Sequence, residues 1–415
     1  MKYIFVYIQL ATVVLIYLAY TYFVSWKSQG NIAVTYISNR SEQLINILRC
    51  FDKPLRSSIK EYSNYWVFYN FISAERIYKC HESITFTTIG DLLHVDNLIT
   101  TVKRWNGPIS VALYAPGDDF YTTLNSIAYL RNCQNSAFKE YVTFHIIMDY
   151  DHFPPPILLN QTIVPLTEIY NDYFNCSLKP PYAEAKLDSL YKKKNNLTFP
   201  INIARNVARE SAQTHFVLAA DIELYPSENI IDTFLNLVFR QQHLFQIKSR
   251  NVFVLPIFEV HADIEPPLNK DQLVKLFKNK KAFLFHQNLC LRCHNIPKFK
   301  EWINLTINEV LNVFTSTKRN NKFSDWEPFY IGTNNEPTFE TRIHWENGGD
   351  KMTQNYKQCL LDYDYLILDN AFIVHKPGIK TFSSKNPDIR NRPTRFTKSL
   401  LNKEYSRIYG QKYKC

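Results

Sequence analysis

At 415 residues, 46% hydrophobic and 15% aromatic, the chain has ample apolar material for a sizeable core, in one large α/β domain with an extension or in two or three domains. Nine glycines and no GxGxxG or Walker-type loop exclude a glycine-rich phosphate cradle, so any nucleotide must be held through metal and side chains. The formal net charge of +10 favours anionic partners, but the basic residues are scattered. The densest run, Lys192 to Lys194, reads as a short solvated loop, which argues against nucleic acid.

Tyr3 to Val24 carries no charged residue. As a helix it spans roughly 33 Å at ~1.5 Å per residue, enough for a ~30 Å hydrocarbon core. It is longer than the apolar part of a cleaved signal peptide and ends at Trp26-Lys27, an interface-type flank. The expectation is an uncleaved signal-anchor at 3–24 behind a cytosolic tail of residues 1–2. Five N-x-Ser/Thr sequons, at Asn39, Asn160, Asn175, Asn196 and Asn304, place the rest on the lumenal side. The chain is therefore expected to be a single-pass type II membrane protein. Eight cysteines, an even number, suit disulfides in an oxidising compartment, although eight allow 105 pairings.

Residues 25–79 lack a clear core strand and read as a stem with some helix at Ser41 to Arg49. The pattern changes at Cys80, where a catalytic domain is expected to begin and run to about residue 380. Ile109 to Ala115 is a short apolar strand, Leu124 to Arg131 a helix, and Tyr141 to Met148 a second strand. Strand, helix and strand in that order make a βαβ unit. The proline-rich section from Phe153 to Pro200 reads as surface connection. Ile201 to Gln213 is a helix that turns Ile201, Ala204 and Ala208 inward and carries Arg205 and Arg209 one turn apart.

The central stretch is FVLAADIELYPS, Phe216 to Ser227. Its unbroken apolar start is how a strand buried on both faces of a largely parallel sheet reads. Asp221 and Glu223 follow at the carboxyl end of the strand, where open α/β sheets place their ligands. They are either a seat for a hard divalent cation, which wants oxygen donors, or ordinary strand-end acids. Ser227 reads as the N-cap of a helix with Ile230, Ile231, Phe234, Leu235 and Val238 on its apolar face.

Further along, Val252 to Ile257 reads as a strand. Cys290-Leu291-Arg292-Cys293-His294 is a CxxC that has no second half of similar spacing for zinc, which leaves a structural disulfide. Asp325-Trp326-Glu327-Pro328-Phe329-Tyr330 mixes acids and aromatics, either to stack on sugar rings or as a core cluster with solvated acids. Tyr365 to Val374 is a strand pair ending at His375. Residues 381–415 form a basic, aromatic, partly ordered extension.

RNVARE (Arg205 to Glu210), FVLAADIELYPS, DWEPFY and LDNAFIVHKPGI (Leu368 to Ile379) occur in one order that resembles glycosyltransferase family 49, over roughly Cys80 to Ile379. The resemblance implies a GT-A fold with a mixed, largely parallel sheet flanked by helices. It also implies a UDP-sugar donor, a glycan acceptor, inversion at the anomeric carbon, Mn²⁺ and a Golgi location, with possible oligomers with itself or other transferases. It places Asp221 and Glu223 on the family's Asp-x-Asp, with Glu223 where Asp is usual, and His375 as the third metal ligand. Ala115, Arg205, Asn206, Arg209, Asp221, Trp326 and Glu327 become candidates for nucleotide or substrate binding. Arg205 and Arg209 either pair with the diphosphate or a donor carboxylate, or lie on a solvated helix face. Glu340 and Asp350 are the candidate catalytic bases. The donor is UDP-glucuronate or UDP-N-acetylglucosamine. A catalytically silent, glycan-binding or partner-stabilising relative is the competing reading, prompted by Glu223.

Overall fold

The computed structural model describes residues 40–379 and 400–415, apart from 247–248, 307–308, 321–322, 344–349 and 413. The apolar run 3–24, Asn39 and most of the basic segment after residue 380 lie outside the described residues. Among the described residues no helix is long and apolar enough to cross a membrane. The chain divides into two compact units at Arg49 and Cys50. Residues 40–48 of the first are helical, and the second carries everything that follows.

The second unit opens with strands β1 (Ser58–Tyr62), β2 (Tyr65–Ile72), β3 (Ile84–Gly90), β4 (Ile109–Tyr114) and β5 (Val142–Asp149). A short hairpin, β6 (Leu158–Leu159) and β7 (Thr162–Ile163), leads to β8 (Phe216–Ala219) and β9 (Leu224–Pro226). Then come β10 (Asn251–Leu255), β11 (Ile257–Val260), β12 (Ala282–Leu284), β13 (Val313–Thr317), β14 (Phe329–Gly332), β15 (Asp364–Leu368) and β16 (Ile373–His375). Among the described residues the main sheet runs β1-β2-β5-β4-β3-β8-β14-β10-β15-β13, and a smaller one runs β12-β11-β16-β9.

The expected βαβ unit is present. β4 and β5 pair in parallel, with Ile109 opposite Val142, and the helix Asp119–Cys133 crosses between them. β8 lies between β3, parallel, and β14, antiparallel. Within the main sheet, among the described residues, parallel pairing is confined to β5-β4-β3-β8 and to β10-β15, so this sheet is mixed and not largely parallel. The helix Ile201–Glu210 packs Ile203, Ala204, Val207 and Ala208 into a cluster with Tyr65, Val67 and Tyr114 of the sheet. Phe234, on the helix Ile230–Arg240, meets Phe216 at 5.0 Å between ring centroids. Apolar cover around β8 explains its unbroken apolar run.

Three further expectations are corrected. The stem is not strandless: β1 and β2 extend the main sheet, with Val67 opposite Ile147, so the sheet starts well before Cys80. Val252 to Ile257 is not one strand, because Pro256 cannot donate to a ladder and the chain changes sheet there, from β10 to β11. Ser227 does not cap the next helix, which starts at Ile230 behind Asn229 at φ 61°. Ser227 instead continues the β9–β16 pairing: its N–H donates to the Phe372 carbonyl and its hydroxyl accepts from the Phe372 N–H. The C-terminal extension, expected to be partly ordered, packs its described end, with Leu401 and Tyr405 clustered with Ile343 and Leu360.

All eight cysteines pair: Cys50–Cys80, Cys133–Cys176, Cys290–Cys293 and Cys359–Cys415. The CxxC is a disulfide, as its spacing implied, and Cys415 staples the chain end to the helix Met352–Leu360.

Candidate functional site

A cavity of about 640 Å³ opens beyond the carboxyl ends of β3 and β8. Asp221, Glu223, His375, Arg205, Glu327 and Asp350 line it. β8 ends at Ala219, and the Leu224 N–H donates to the Asp221 carbonyl, which turns the chain directly into β9. β9 pairs antiparallel with β16, so Leu224 sits opposite His375. The Lys376 N–H also donates to the Glu223 carbonyl at 2.7 Å. This register brings Glu223 Oε2 to 3.3 Å from His375 Nε2.

Asp221 faces two cations. Arg205 donates to its Oδ1 at 2.8 Å and Lys351 to its Oδ2 at 3.1 Å. Burial would push the Asp221 carboxyl up, but Lys351 and Arg205 override it and hold the group well below the usual carboxylate range. Arg205 is no solvated arginine: it is buried on the helix Ile201–Glu210 and also donates to Asn202 and to the Asp350 carboxylate. Burial acts against ionisation of Asp350 too, and Arg205 and Lys351 again win. The result is a compact cluster of two carboxylates and two cations.

Glu223, Asp221 and His375 offer oxygen and nitrogen donors on one cavity, a set that suits a divalent cation such as Mn²⁺. Among the described residues no three acid, cysteine or histidine side chains converge into a ready-made metal cage. Lys351 and Arg205 hold the Asp221 carboxylate in place instead.

Other expected residues fall elsewhere. Glu340 is outside the cavity: Arg342 grips it through Nε and Nη2 at 2.8 Å, and the Tyr405 hydroxyl donates to it. Burial would raise its carboxyl, but these partners bring it down to about 2, so it is a poor proton acceptor. Asp350 is in the cavity, but it is committed to Arg205. Asn206 binds the Phe339 backbone through both amide atoms, and Arg209 donates to the carbonyls of Thr333, Glu336 and Pro337. Both therefore hold the 333–339 loop on the helix, and neither lines this cavity. Ala115 is fully buried and its N–H extends the β4–β5 ladder to Ile147. Trp326 is also buried, 5.2 Å from Tyr365 between ring centroids, so it is core and does not stack on a sugar. Four sequon asparagines, Asn160, Asn175, Asn196 and Asn304, are exposed.

Several cavity residues escaped the sequence reading. Lys351 had a signal in its neighbour Asp350, and His294 in the adjoining CxxC. Burial next to His286 lowers His294 to about 3, so its imidazole is neutral. Lys192 is not part of a solvated run: it turns inward to pair with Asp91, which also binds His94 at 2.7 Å. Burial opposes ionisation of Asp91, but His94 and Lys192 lower it to about 2. Nothing in the composition of the lysine run marked Lys192 apart from Lys193 and Lys194.

A family model described as a glycosyl-transferase for dystroglycan matches residues 83–414. The β-1,4-glucuronyltransferase 1 of Danio rerio is 29% identical over 321 residues, covering 75% of this chain and 70% of its own. The mouse protein of that name is 24% identical over 335 residues, covering 80% and 74%. The xylosyl- and glucuronyltransferase LARGE2s of Danio rerio is 21% identical over 316 residues, which cover 75% of this chain and 33% of that longer protein. Residues 83–414 contain β3 through β16, the cavity and the C-terminal helix, and on this match the chain belongs to glycosyltransferase family 49.

Proposed function

We propose that the chain is an inverting, metal-dependent glycosyltransferase of GT-A type that moves a sugar from a UDP-sugar to a hydroxyl of a glycan acceptor. The family match across the whole cavity-bearing unit carries this reading. Relatives named glucuronyltransferases favour glucuronate over N-acetylglucosamine as the transferred sugar. Asp221, Glu223 and His375 would hold Mn²⁺, which when bound neutralises the diphosphate of the departing UDP. Lys351 and Arg205 keep Asp221 ionised and aimed at the cavity. His286 and His294 also line the cavity, both in ring contact with Phe285, which stacks on His375.

The reading extends to location. The apolar run 3–24 and the exposed sequons support a type II protein with its catalytic unit in the Golgi lumen. A second reading, a silent glycan-binding relative, is favoured by one observation: both carboxylate oxygens of Asp221 are engaged by cations. A donor screen with the purified protein separates the two. UDP release from UDP-glucuronate or UDP-N-acetylglucosamine that depends on Mn²⁺ and a glycan acceptor supports the enzyme. Mn²⁺ and UDP binding with no turnover of any donor supports the silent relative.

A further inference from the structure

The cavity wall holds six acids, Asp91, Asp221, Glu223, Asp325, Glu327 and Asp350. Five have charged or imidazole partners: Asp91 with His94 and Lys192, Asp221 with Arg205 and Lys351, Glu223 with His375, Asp325 with Arg292, and Asp350 with Arg205. Glu327 differs. The residue is 8% exposed, and its Oε1 is buried with no hydrogen-bond partner among the described residues. Its backbone is fixed on both sides, since its N–H donates to the Cys293 carbonyl at 2.7 Å and His294 Nδ1 donates to its own carbonyl at 3.2 Å. A buried carboxylate oxygen held rigidly without a donor calls for an explanation, because native folds rarely leave one unsatisfied.

We propose that Glu327 is the general base that accepts the proton of the acceptor hydroxyl. The inference rests on the glycosyl-transfer reading above. As the acceptor oxygen bonds to the anomeric carbon, its proton passes to the carboxylate of Glu327, which lines the cavity. The bond from the anomeric carbon to the diphosphate oxygen breaks at the same time, and its electron pair leaves on UDP. Neither earlier candidate serves as well, since Glu340 lies outside the cavity and Asp350 is already bonded to Arg205. The surroundings tune the group suitably. Burial raises the Glu327 carboxyl to about 7, Asp350 and more weakly Asp221 add to the rise, and Lys351 and Arg205 oppose it. A base with this proton affinity is ionised near neutral pH yet still binds a proton well.

The test uses the full chain with Mn²⁺, Glu327→Gln and Glu327→Asp variants, and three readouts. These are acceptor-dependent transfer from UDP-glucuronate, UDP binding, and azide-dependent consumption of the donor. Azide is already an anion, so its attack on the anomeric carbon needs no base. In Glu327→Gln, transfer should fall at least about 100-fold. UDP affinity should stay within about 3-fold, and azide-dependent consumption should persist. The wild-type rate should rise with pH through about 7, and the residual Glu327→Gln rate should be flat there. More than about a tenth of wild-type transfer in Glu327→Gln overturns the assignment. So does a parallel loss of UDP binding and azide turnover, which would mark a packing role. If Glu327→Gln does not fold, Glu327→Asp decides: it keeps a carboxylate but withdraws it by about one C–C bond, ~1.5 Å. It should lower kcat with donor KM unchanged and keep the rising pH limb; a wild-type kcat, or a change confined to KM, rejects the base. A wild-type protein that consumes no donor with acceptor or azide defeats the glycosyl-transfer reading itself, and the base falls with it.

Discussion

Glu223 Oε2 and His375 Nε2 lie 3.3 Å apart across 152 residues of sequence, because β9 and β16 pair antiparallel with Leu224 opposite His375. If the pair serves a metal, Glu223→Ala should raise the Mn²⁺ concentration for half-maximal transfer at least about 10-fold, the low end of what losing even a hydrogen-bond partner of a metal ligand costs. The melting temperature should shift little, since Glu223 lines a cavity. Glu223→Asp, which restores the family's usual residue, should keep activity. A metal titration of both variants decides; an unchanged Mn²⁺ dependence in Glu223→Ala removes Glu223 from the site.

Arg205 binds Asp221 and Asp350 at once and is itself buried. Its removal leaves the buried Asp350 and the part-exposed Asp221 with Lys351 as their one remaining cation among the described residues, so Arg205→Met should destabilise the fold by roughly 3 kcal/mol. Asp221→Asn removes one charge at constant size and should cost at least about 100-fold in rate, ~2.7 kcal/mol in barrier, with a smaller effect on stability. Urea denaturation beside initial rates checks both. Equal stability in Arg205→Met and wild type would contradict the cluster.

Glu336 is buried under β14, where its carboxylate caps the Thr333 N–H and burial raises it to about 7 although Arg209 pulls the other way. A folded-state value above the unfolded 4.5 means the fold holds the proton more tightly. Its contribution is then fully present below about 4.5 and is lost as pH rises through about 7. Glu336→Gln should flatten the decline in stability between about pH 5 and about pH 8. Denaturant midpoints at the two pH values report it, and an unchanged decline would show that other groups set it.

The Cys359–Cys415 disulfide closes a separation of 56 residues and holds the chain end near Tyr405, whose hydroxyl donates to Glu340. Cys415→Ser should lower stability by about 2–4 kcal/mol. It should also expose the helix Asn402–Tyr409 to protease. Thermal melting with limited proteolysis follows both effects; intact resistance would show that the helix Asn402–Tyr409 docks without the staple.

The exposed sequons and the run 3–24 make a prediction about the cell. The full-length protein should lose mass on treatment with peptide N-glycosidase and remain in membranes after an alkaline carbonate wash. A mature start near Ser28 would convert the run into a cleaved signal.

The strand at Phe216, the βαβ unit and the disulfide reading of the CxxC could be read from sequence, because each depends on local composition. A strand covered on both faces must be apolar throughout, and a CxxC closes on itself. The ordered motif blocks likewise carried the family. Other features needed the folded chain. Which acids are paired is decided by contacts such as Arg205 with Asp350, 145 residues apart, and no spacing rule announces them. Trp326 and Glu327 are neighbours in one motif, yet the Trp326 ring is core while Glu327 lines the cavity with its backbone bonded to Cys293 and His294. The early strands escape sequence reading because the aromatic run of β2 makes sense only beside β5, and β1 only beside β2. Composition therefore set the burial of single elements, while the long-range pairing of strands set the electrostatics of the site.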